Sequence, residues 1–222
     1  MEPNDTNEDI VRIYLCGPHS TGKTTLMLDL EPHLPGVKVV EEVARSVIRN
    51  HGWKRDDFRP DKHPDVFRQL NFEILEAQIE VEKRFSEMNQ DFICDRAIDP
   101  IVYCKFYVGP EARDRMFETP NIQQWIKRLQ NSLIILVAPH KEIITEDSVR
   151  LASSFEELCQ FYESFANELN VNEIPYIELH ELDRQKRIDI VLKELVEFKE
   201  KRRHGFNEVS VECNAGKESE CN

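Results

Sequence analysis

The amino-acid sequence predicts an α/β fold in which a five-stranded parallel sheet is covered by helices on both faces. Three observations predict it. Five short apolar runs, each bounded by polar or turn residues, recur along the chain with helical stretches between them. Consecutive strands joined through a helix can pair in parallel only by crossing over a face of the sheet, so the alternation implies helices on both sides. With 222 residues, 40% of them hydrophobic, the chain holds enough for one well-filled core and too little for two.

Val11 to Cys16 is the first apolar run, and it leads directly into a glycine-containing turn at Gly17. A helix is expected after that turn, stopping before Pro32 or Pro35. Val37 to Val40 reads as the second strand, followed at once by a short helix to about Asn50. Residues 51 to 64 are polar, contain Gly52, Pro60 and Pro64, and read as a loop. From Asp65 to Met88, Phe67, Leu70, Ile74, Val81, Phe85 and Met88 recur at helical spacings, the pattern of a long amphipathic helix. Phe92 to Cys94 is a third strand closing on Asp95-Arg96. Pro100 to Val108 and Asn121 to Gln130 are expected to be helical. Leu133 to Val137, uninterruptedly apolar, reads as a strand buried on both faces. A helix over Phe155 to Leu169, a last strand over Tyr176 to Leu179 and a final helix from Gln185 to about Arg203 complete the pattern. Residues 10–203 thus form one expected domain. The acidic residues 1–9 and the Asn-, Glu- and Ser-rich residues 204–222 are predicted to be disordered.

The formal charge of −13 disfavours a polyanionic partner, and no nucleic acid is expected. Much of the excess acid sits in the two tails. Lys199, Lys201, Arg202 and Arg203 form a basic end to the last helix, which reads first as a favourable partner for the helix dipole. Six cysteines (Cys16, Cys94, Cys104, Cys159, Cys213, Cys221) show neither metal-ligand spacing nor a disulfide-dense pattern, which fits a reducing compartment and a cytoplasmic location. The amino terminus lacks a signal-peptide apolar region, and no apolar run is long enough to span a bilayer.

The turn at Gly17 carries the chemistry. Gly17, Gly22, Lys23 and Thr24 satisfy G-x-x-x-x-G-K-[ST], with a strand before and a helix after. In such a loop the backbone N–H groups of His19, Ser20, Thr21 and Gly22 turn inward toward phosphate oxygens, and a side chain at Gly22 would obstruct the approach. Lys23 reaches the β- and γ-phosphates, Thr24 offers its hydroxyl to Mg²⁺, and Thr25 is placed for the α-phosphate. The imidazole of His19 is expected to play no catalytic part. A nucleoside triphosphate with Mg²⁺ is the implied ligand: ATP, with GTP as the alternative. No glycine has Asp three residues before it and N-K-x-D is absent, so the chain is not read as a switch GTPase.

Two acidic sites follow strands. Glu41 and Glu42 follow the second, and Asp95 with Arg96 follows the third, so a doubly wound sheet would bring both beside the phosphate loop. A carboxylate there can hold Mg²⁺ directly or through water, or accept the proton of an attacking hydroxyl. An arginine can pair with substrate or phosphate oxygens. Glu42 and Asp95 are both candidates to orient the acceptor, and Thr24 and Asp95 are the candidate metal ligands. A purely structural alternative for Glu42 is a charge pair with Arg45 at a helix start.

The segments Gly17-Pro18-His19-Ser20-Thr21-Gly22-Lys23-Thr24-Thr25-Leu26 and Glu42-Val43-Ala44-Arg45, and Asp95-Arg96 with Asp99-Pro100 and Tyr103, resemble the NadR/Ttd14-like AAA-type P-loop ATPase/kinase domain family. The resemblance covers most of residues 10 to 195. It implies a three-layer P-loop NTPase fold with the kinase-like strand order 2-3-1-4-5. NadR-like members phosphorylate a nucleoside hydroxyl, whereas Ttd14-like members bind GTP and an anionic phospholipid. The family's kinases carry a basic lid after the fourth strand, and Asp147-Ser148-Val149-Arg150 resembles their D-G-x-R, with Ser148 in place of Gly. By that resemblance Arg150 is the lid candidate for neutralising charge, alongside Arg96.

Two further features carry two readings each. His51, Trp53 and Arg55 in the 51 to 64 loop either cover an acceptor pocket or anchor the loop to the body. Tyr103 and Tyr107, one helical turn apart, suit a planar acceptor or the core, with the core favoured. Cys16 and Cys94 read as inert apolar residues. The sequence therefore predicts a Mg²⁺-ATP-dependent kinase acting on a hydroxyl of a nucleoside-like or other small acceptor. The alternative is a GTP- or ATP-binding regulatory protein contacting anionic phospholipid or a protein partner, for which the basic end of the last helix is the one supporting feature.

Overall fold

In the computed structural model, which describes residues 10–142 and 154–215 and, for 204–215, the backbone alone, five parallel strands form one sheet in the order β2-β3-β1-β4-β5. Along the chain the elements are β1 (Arg12–Cys16), α1 (Lys23–Leu30), β2 (Lys38–Val40), α2 (Val43–His51), α3 (Pro64–Glu87), β3 (Phe92–Asp95), α4 (Asp99–Tyr107), α5 (Pro110–Met116), α6 (Ile122–Gln130), β4 (Leu133–Val137), α7 (Phe155–Val171), β5 (Ile177–Leu179) and α8 (Arg184–Ala215). Every strand falls within a residue or two of its expected place.

The strands alternate between two cores because successive side chains of a strand point to opposite faces. Ile13 and Leu15 of β1 pack with Ile135 and Val137 of β4 against Leu26, Met27 and Leu30 of α1 and Ile188, Val191 and Leu195 of α8. Tyr14 and Cys16 face the other way, with Cys94, Ile134 and Leu136, into a larger core closed by α3, α4, α6 and α7. The result is three layers. Each fully buried aliphatic side chain contributes roughly 1.5–3 kcal/mol, so the central strands β1 and β4, buried at every residue, anchor the fold.

Two elements depart from expectation. α5 was not legible: Gly109, at φ 120, ends the preceding helix and Pro110 starts the next, but only Ala112 and Met116 of its seven residues are buried. Two apolar contacts cannot display a period. α8 continues to Ala215 rather than ending near Arg203, running unbroken through Gly205 with no proline to stop it. In α3, Met88 belongs to the cap and is 64% exposed. The polar residues Asn71, Gln78 and Glu82 instead occupy buried positions among Leu70, Ile74, Leu75 and Ile79.

Candidate functional site

The strand order reverses at β1, and register then decides which side chains meet. Leu15 of β1 lies opposite Asp95 of β3, and Val40 of β2 lies opposite Cys94. The residues that follow β1, β2 and β3 therefore emerge side by side at the carboxyl edge of the sheet, where open α/β folds bind ligands.

The loop after β1 is shaped by two glycines with different tasks. Gly17 has φ 128, and a Cβ there would stand 2.6 Å from the carbonyl oxygen of Val137. Gly22 has φ 79 immediately before α1, where a Cβ would meet the guanidinium of Arg187 at 3.0 Å. Between them Ser20 also takes a left-handed conformation, φ 62. Lys23, only 5% exposed, donates from Nζ to the carbonyls of Gly17 at 2.8 Å and Pro18 at 2.6 Å. Burial, followed by the nearby charge of Arg96, lowers its pKa to about 8, while Asp99 and Asp95 oppose the shift. Thr21 donates from Oγ1 to the Pro18 carbonyl at 3.0 Å, closing the loop on itself. His19 is half-buried, its ring 6.5 Å from that of Phe161, and Thr24 and Thr25 are exposed.

Thr24 Oγ1 donates to Asp95 Oδ2 at 2.5 Å across the α1–β3 gap. A hydroxyl and a carboxylate are the hard oxygen donors that Mg²⁺ takes, and this ion commonly uses one or two protein oxygens and leaves its other positions to phosphate and water. The pair fits the ion that the fold family implies.

Glu42, the residue preceding α2, accepts from Arg96 Nε at 3.0 Å and Nη2 at 2.6 Å, and from Arg45 Nε at 3.2 Å. Burial pushes its pKa up, but Arg96 and Arg45 outweigh burial and hold the carboxyl below the usual range. Arg96 also donates from Nη1 to Asp99 Oδ1 at 3.0 Å, and its guanidinium carbon lies 5.9 Å from the centre of the Tyr103 ring. Asp99 is 1% exposed, and burial raises its pKa against the pull of Arg96 and Lys23. The charge pair with Arg45 is present, and Glu42 also pairs with Arg96, which follows a different strand. Glu41 beside it is exposed.

The structure brings Gly17 to Thr24, Glu42, Asp95 and Arg96 together at this edge. Arg150 and the segment around it lie outside the described residues. Trp53 stacks on His51 with ring centres 3.9 Å apart and packs on the Val47, Leu70 and Ile74 cluster, an anchor for its loop. Tyr103 and Tyr107 pack against the larger core beside Phe161. Cys16, Cys94 and Cys104 are buried free thiols, and burial pushes all three pKa values up, as expected of inert residues. Arg202, in the basic end of α8, donates to the Ile10 carbonyl at 3.0 Å and lies over Phe198. No helix among the described residues is long and apolar enough to cross a membrane.

Three residues of this neighbourhood were given no role in the site from sequence. Asp99 opens α4, a first-turn position where an acid is ordinary. Arg187 donates from Nη2 to the Thr21 carbonyl at 3.1 Å and braces the loop from outside. Its signal was helical spacing, because Arg187 falls on the buried stripe of Ile188, Val191 and Leu195. Gln78 reaches the turn after β3 from α3.

A family model described as the AAA domain matches residues 12–187. No curated protein matches the chain. Among solved structures, the NadR protein in complex with NR gives a TM-score of 0.57 at 22% identity, over 86% of this chain and 53% of that one. A deoxyadenosine kinase from M. mycoides with bound dATP gives 0.55 at 18% identity, over 83% and 98%. A shikimate kinase from Acinetobacter baumannii in complex with shikimate gives 0.54 at 15% identity, over 86% and 95%. The chain spans about half the length of the NadR structures it matches. At these identities the likeness establishes a common fold, that of the P-loop kinases.

Proposed function

The chain belongs to the AAA domain family, and from that premise we propose that it is a Mg²⁺-ATP-dependent phosphotransferase that moves the γ-phosphoryl group to a hydroxyl of a small, nucleoside-like acceptor. One observation carries the proposal: the Lys23 loop, the Thr24–Asp95 pair and the Glu42–Arg96–Asp99 cluster lie at the adjoining carboxyl ends of β1, β2 and β3. A site that only held nucleotide would need the first two. The third is an ion-paired cluster beside the phosphate loop, suited to a second, polar ligand.

In this reading Lys23 and the loop N–H groups of residues 19 to 22 hold the triphosphate, with Thr25 at the α-phosphate end. Thr24 and Asp95 would hold Mg²⁺, which when bound would neutralise phosphate charge. Glu42, ionised and fixed by Arg96, accepts the hydrogen bond of the acceptor hydroxyl and orients it. Its depressed pKa makes it a weak base, which suffices because phosphoryl transfer depends mainly on positioning and electrostatics. Arg96, held between two carboxylates, offers its remaining surface to acceptor or phosphate oxygens. The structural neighbours lend the acceptor class its support, since they include a deoxyadenosine kinase and a shikimate kinase, both acting on small hydroxylic molecules by name. Arg150 is proposed as a lid cation on the resemblance alone.

The test is γ-phosphate consumption across a panel of nucleosides and small alcohols, with ATP and GTP in parallel and Lys23→Ala as control. Acceptor-stimulated turnover abolished in a folded Lys23→Ala protein is expected. Tight nucleotide binding without turnover on any acceptor would instead favour the regulatory reading, and flotation with anionic vesicles would then decide between lipid and protein partners.

A further inference from the structure

Arg96 sits at φ 120, a left-handed backbone region that a residue with a side chain occupies only when its surroundings hold it there. Two side chains do so. Asp99 Oδ2 accepts from the Ala97 N–H at 2.8 Å on one side of the turn. On the other, Nε2 of Gln78 donates to the Arg96 carbonyl at 3.2 Å and the Ala97 carbonyl at 3.3 Å. Gln78 is 2% exposed, in the middle of the buried face of α3.

The orientation of this amide follows from its neighbours. Besides the two carbonyls, Nε2 faces Glu82 Oε1 at 3.0 Å and the Cys94 sulfur at 4.0 Å, all of them acceptors. Turning the amide over would set its oxygen against oxygens, so only the donor can point this way. Glu82 is fixed in turn. Its Oε2 accepts from Tyr14 Oη and Trp125 Nε1, both at 2.7 Å, and from Arg128 Nη1 at 3.3 Å. A polar pair at i and i+4 inside an apolar helix face would be costly as packing alone, and here it joins the core to the strained turn at Arg96 beside the phosphate loop.

We propose that Gln78 is a positioning residue of the acceptor side of the site: by bonding the two carbonyls after β3 it holds Arg96 in the conformation from which the guanidinium reaches both Glu42 and Asp99. The catalytic consequence rests on the phosphotransferase reading, whereas the clamp on Arg96 does not. If Gln78 served the core only, its loss would lower thermal stability and leave the Arg96 ion pairs as they are.

The experiment uses the full chain with Gln78→Leu and Gln78→Met, and reads solvent exchange of the Arg96 Nε–H by NMR together with steady-state kinetics. In wild type the Nε–H, bonded to Glu42, exchanges slowly. In the variants it is expected to exchange rapidly, and kcat/KM for the acceptor is expected to fall about 10²-fold, the usual cost of misplacing a reacting group by an ångström. The affinity for ATP should be unchanged. A folded variant with an unaltered Arg96 Nε–H overturns the proposal. Wild type that turns over no acceptor defeats the phosphotransferase reading, and the Nε–H exchange then judges the clamp by itself. If neither variant folds, the two side-chain amide protons of Gln78 in wild type decide: slow exchange of both, Glu82 holding only one, supports the clamp, and one slow with one fast overturns it.

Discussion

Thr24 donates its hydroxyl to Asp95 at 2.5 Å, joining the start of α1 to the last residue of β3 across the middle of the sheet. The hydroxyl proton is committed to the carboxylate, so the outward lone pairs of both groups are left for a cation. Asp95→Asn keeps the size of the side chain and removes the charge. It is expected to weaken nucleotide binding in the presence of Mg²⁺ by about 10- to 100-fold, the scale of a hydrogen bond or contact involving a charged group. Binding without the metal should change little. Titration calorimetry with and without Mg²⁺ measures both, and an unchanged metal dependence would remove Asp95 from the ion site.

Gly17 is constrained twice, by its φ of 128 and by the Val137 carbonyl 2.6 Å from where a Cβ would stand. The obstacle is backbone in a strand buried at every position, which cannot step aside cheaply. Gly17→Ala is expected to cost more than about 3 kcal/mol of stability, combining overpacking with a disfavoured conformation. Gly52→Ala serves as control, since Gly52 has φ 67 with open space around it, and should cost only about 1–2 kcal/mol. Thermal unfolding of the two variants side by side tests the difference. Equal losses would mean that the β4 contact is not limiting.

Glu42 and Arg96 are each 18% exposed at their side chains, so their ion pair is partly screened. Glu42→Gln is therefore expected to cost about 1–2 kcal/mol of stability, less than a fully buried pair would. The sign with pH follows from the depressed pKa of Glu42. The stabilisation is present above the ordinary glutamate value and is lost as pH falls through the folded value, so wild type and variant should converge in acid. Acceptor turnover should fall sharply while ATP affinity holds. A variant as active as wild type would separate Glu42 from the acceptor.

Much of this was readable from the chain, and for physical reasons. A phosphate loop is a local object: its glycines, its lysine and the flanking strand and helix lie within a few residues of each other, so Gly17 to Thr24 announced both their geometry and their place at a strand end. Asp95 could be found because an apolar run closing on an acid is a short-range pattern too. Asp99 bonds Arg96 and Ala97, only three and two residues away, and was hidden because an acid in a first helical turn is ordinary. Gln78 and Arg187 were hidden because each acts on a residue distant in sequence, Gln78 on a turn 18 residues on and Arg187 on a carbonyl 166 residues back. Their one visible sign was a polar side chain at a position that helical periodicity assigns to the core. Such a residue must find a buried partner, and sequence shows that the partner exists without showing where. The strand order was not derivable from periodicity at all and came from the family resemblance.

Lys23 gives a pH test with opposite signs in two measurements. Burial first, and then Arg96, lower its pKa to about 8 in the folded protein, against about 10.4 for an unfolded lysine. Between these values the unfolded chain holds the proton and the folded one does not, so the stability of the nucleotide-free protein should rise with pH across that window. Phosphate oxygens would favour the charged amine, so nucleotide binding takes up a proton above about pH 8. Affinity should consequently fall as pH rises from there, approaching tenfold per unit, and stay flat below it as far as Lys23 is concerned. Lys23→Met should abolish both trends. Calorimetric titration of ATP at several pH values, in buffers of different ionisation enthalpy, counts the proton directly. An affinity independent of pH between 7 and 9.5 would show that Lys23 does not take up that proton on binding, and with it the placement of its amine against the phosphates would fall.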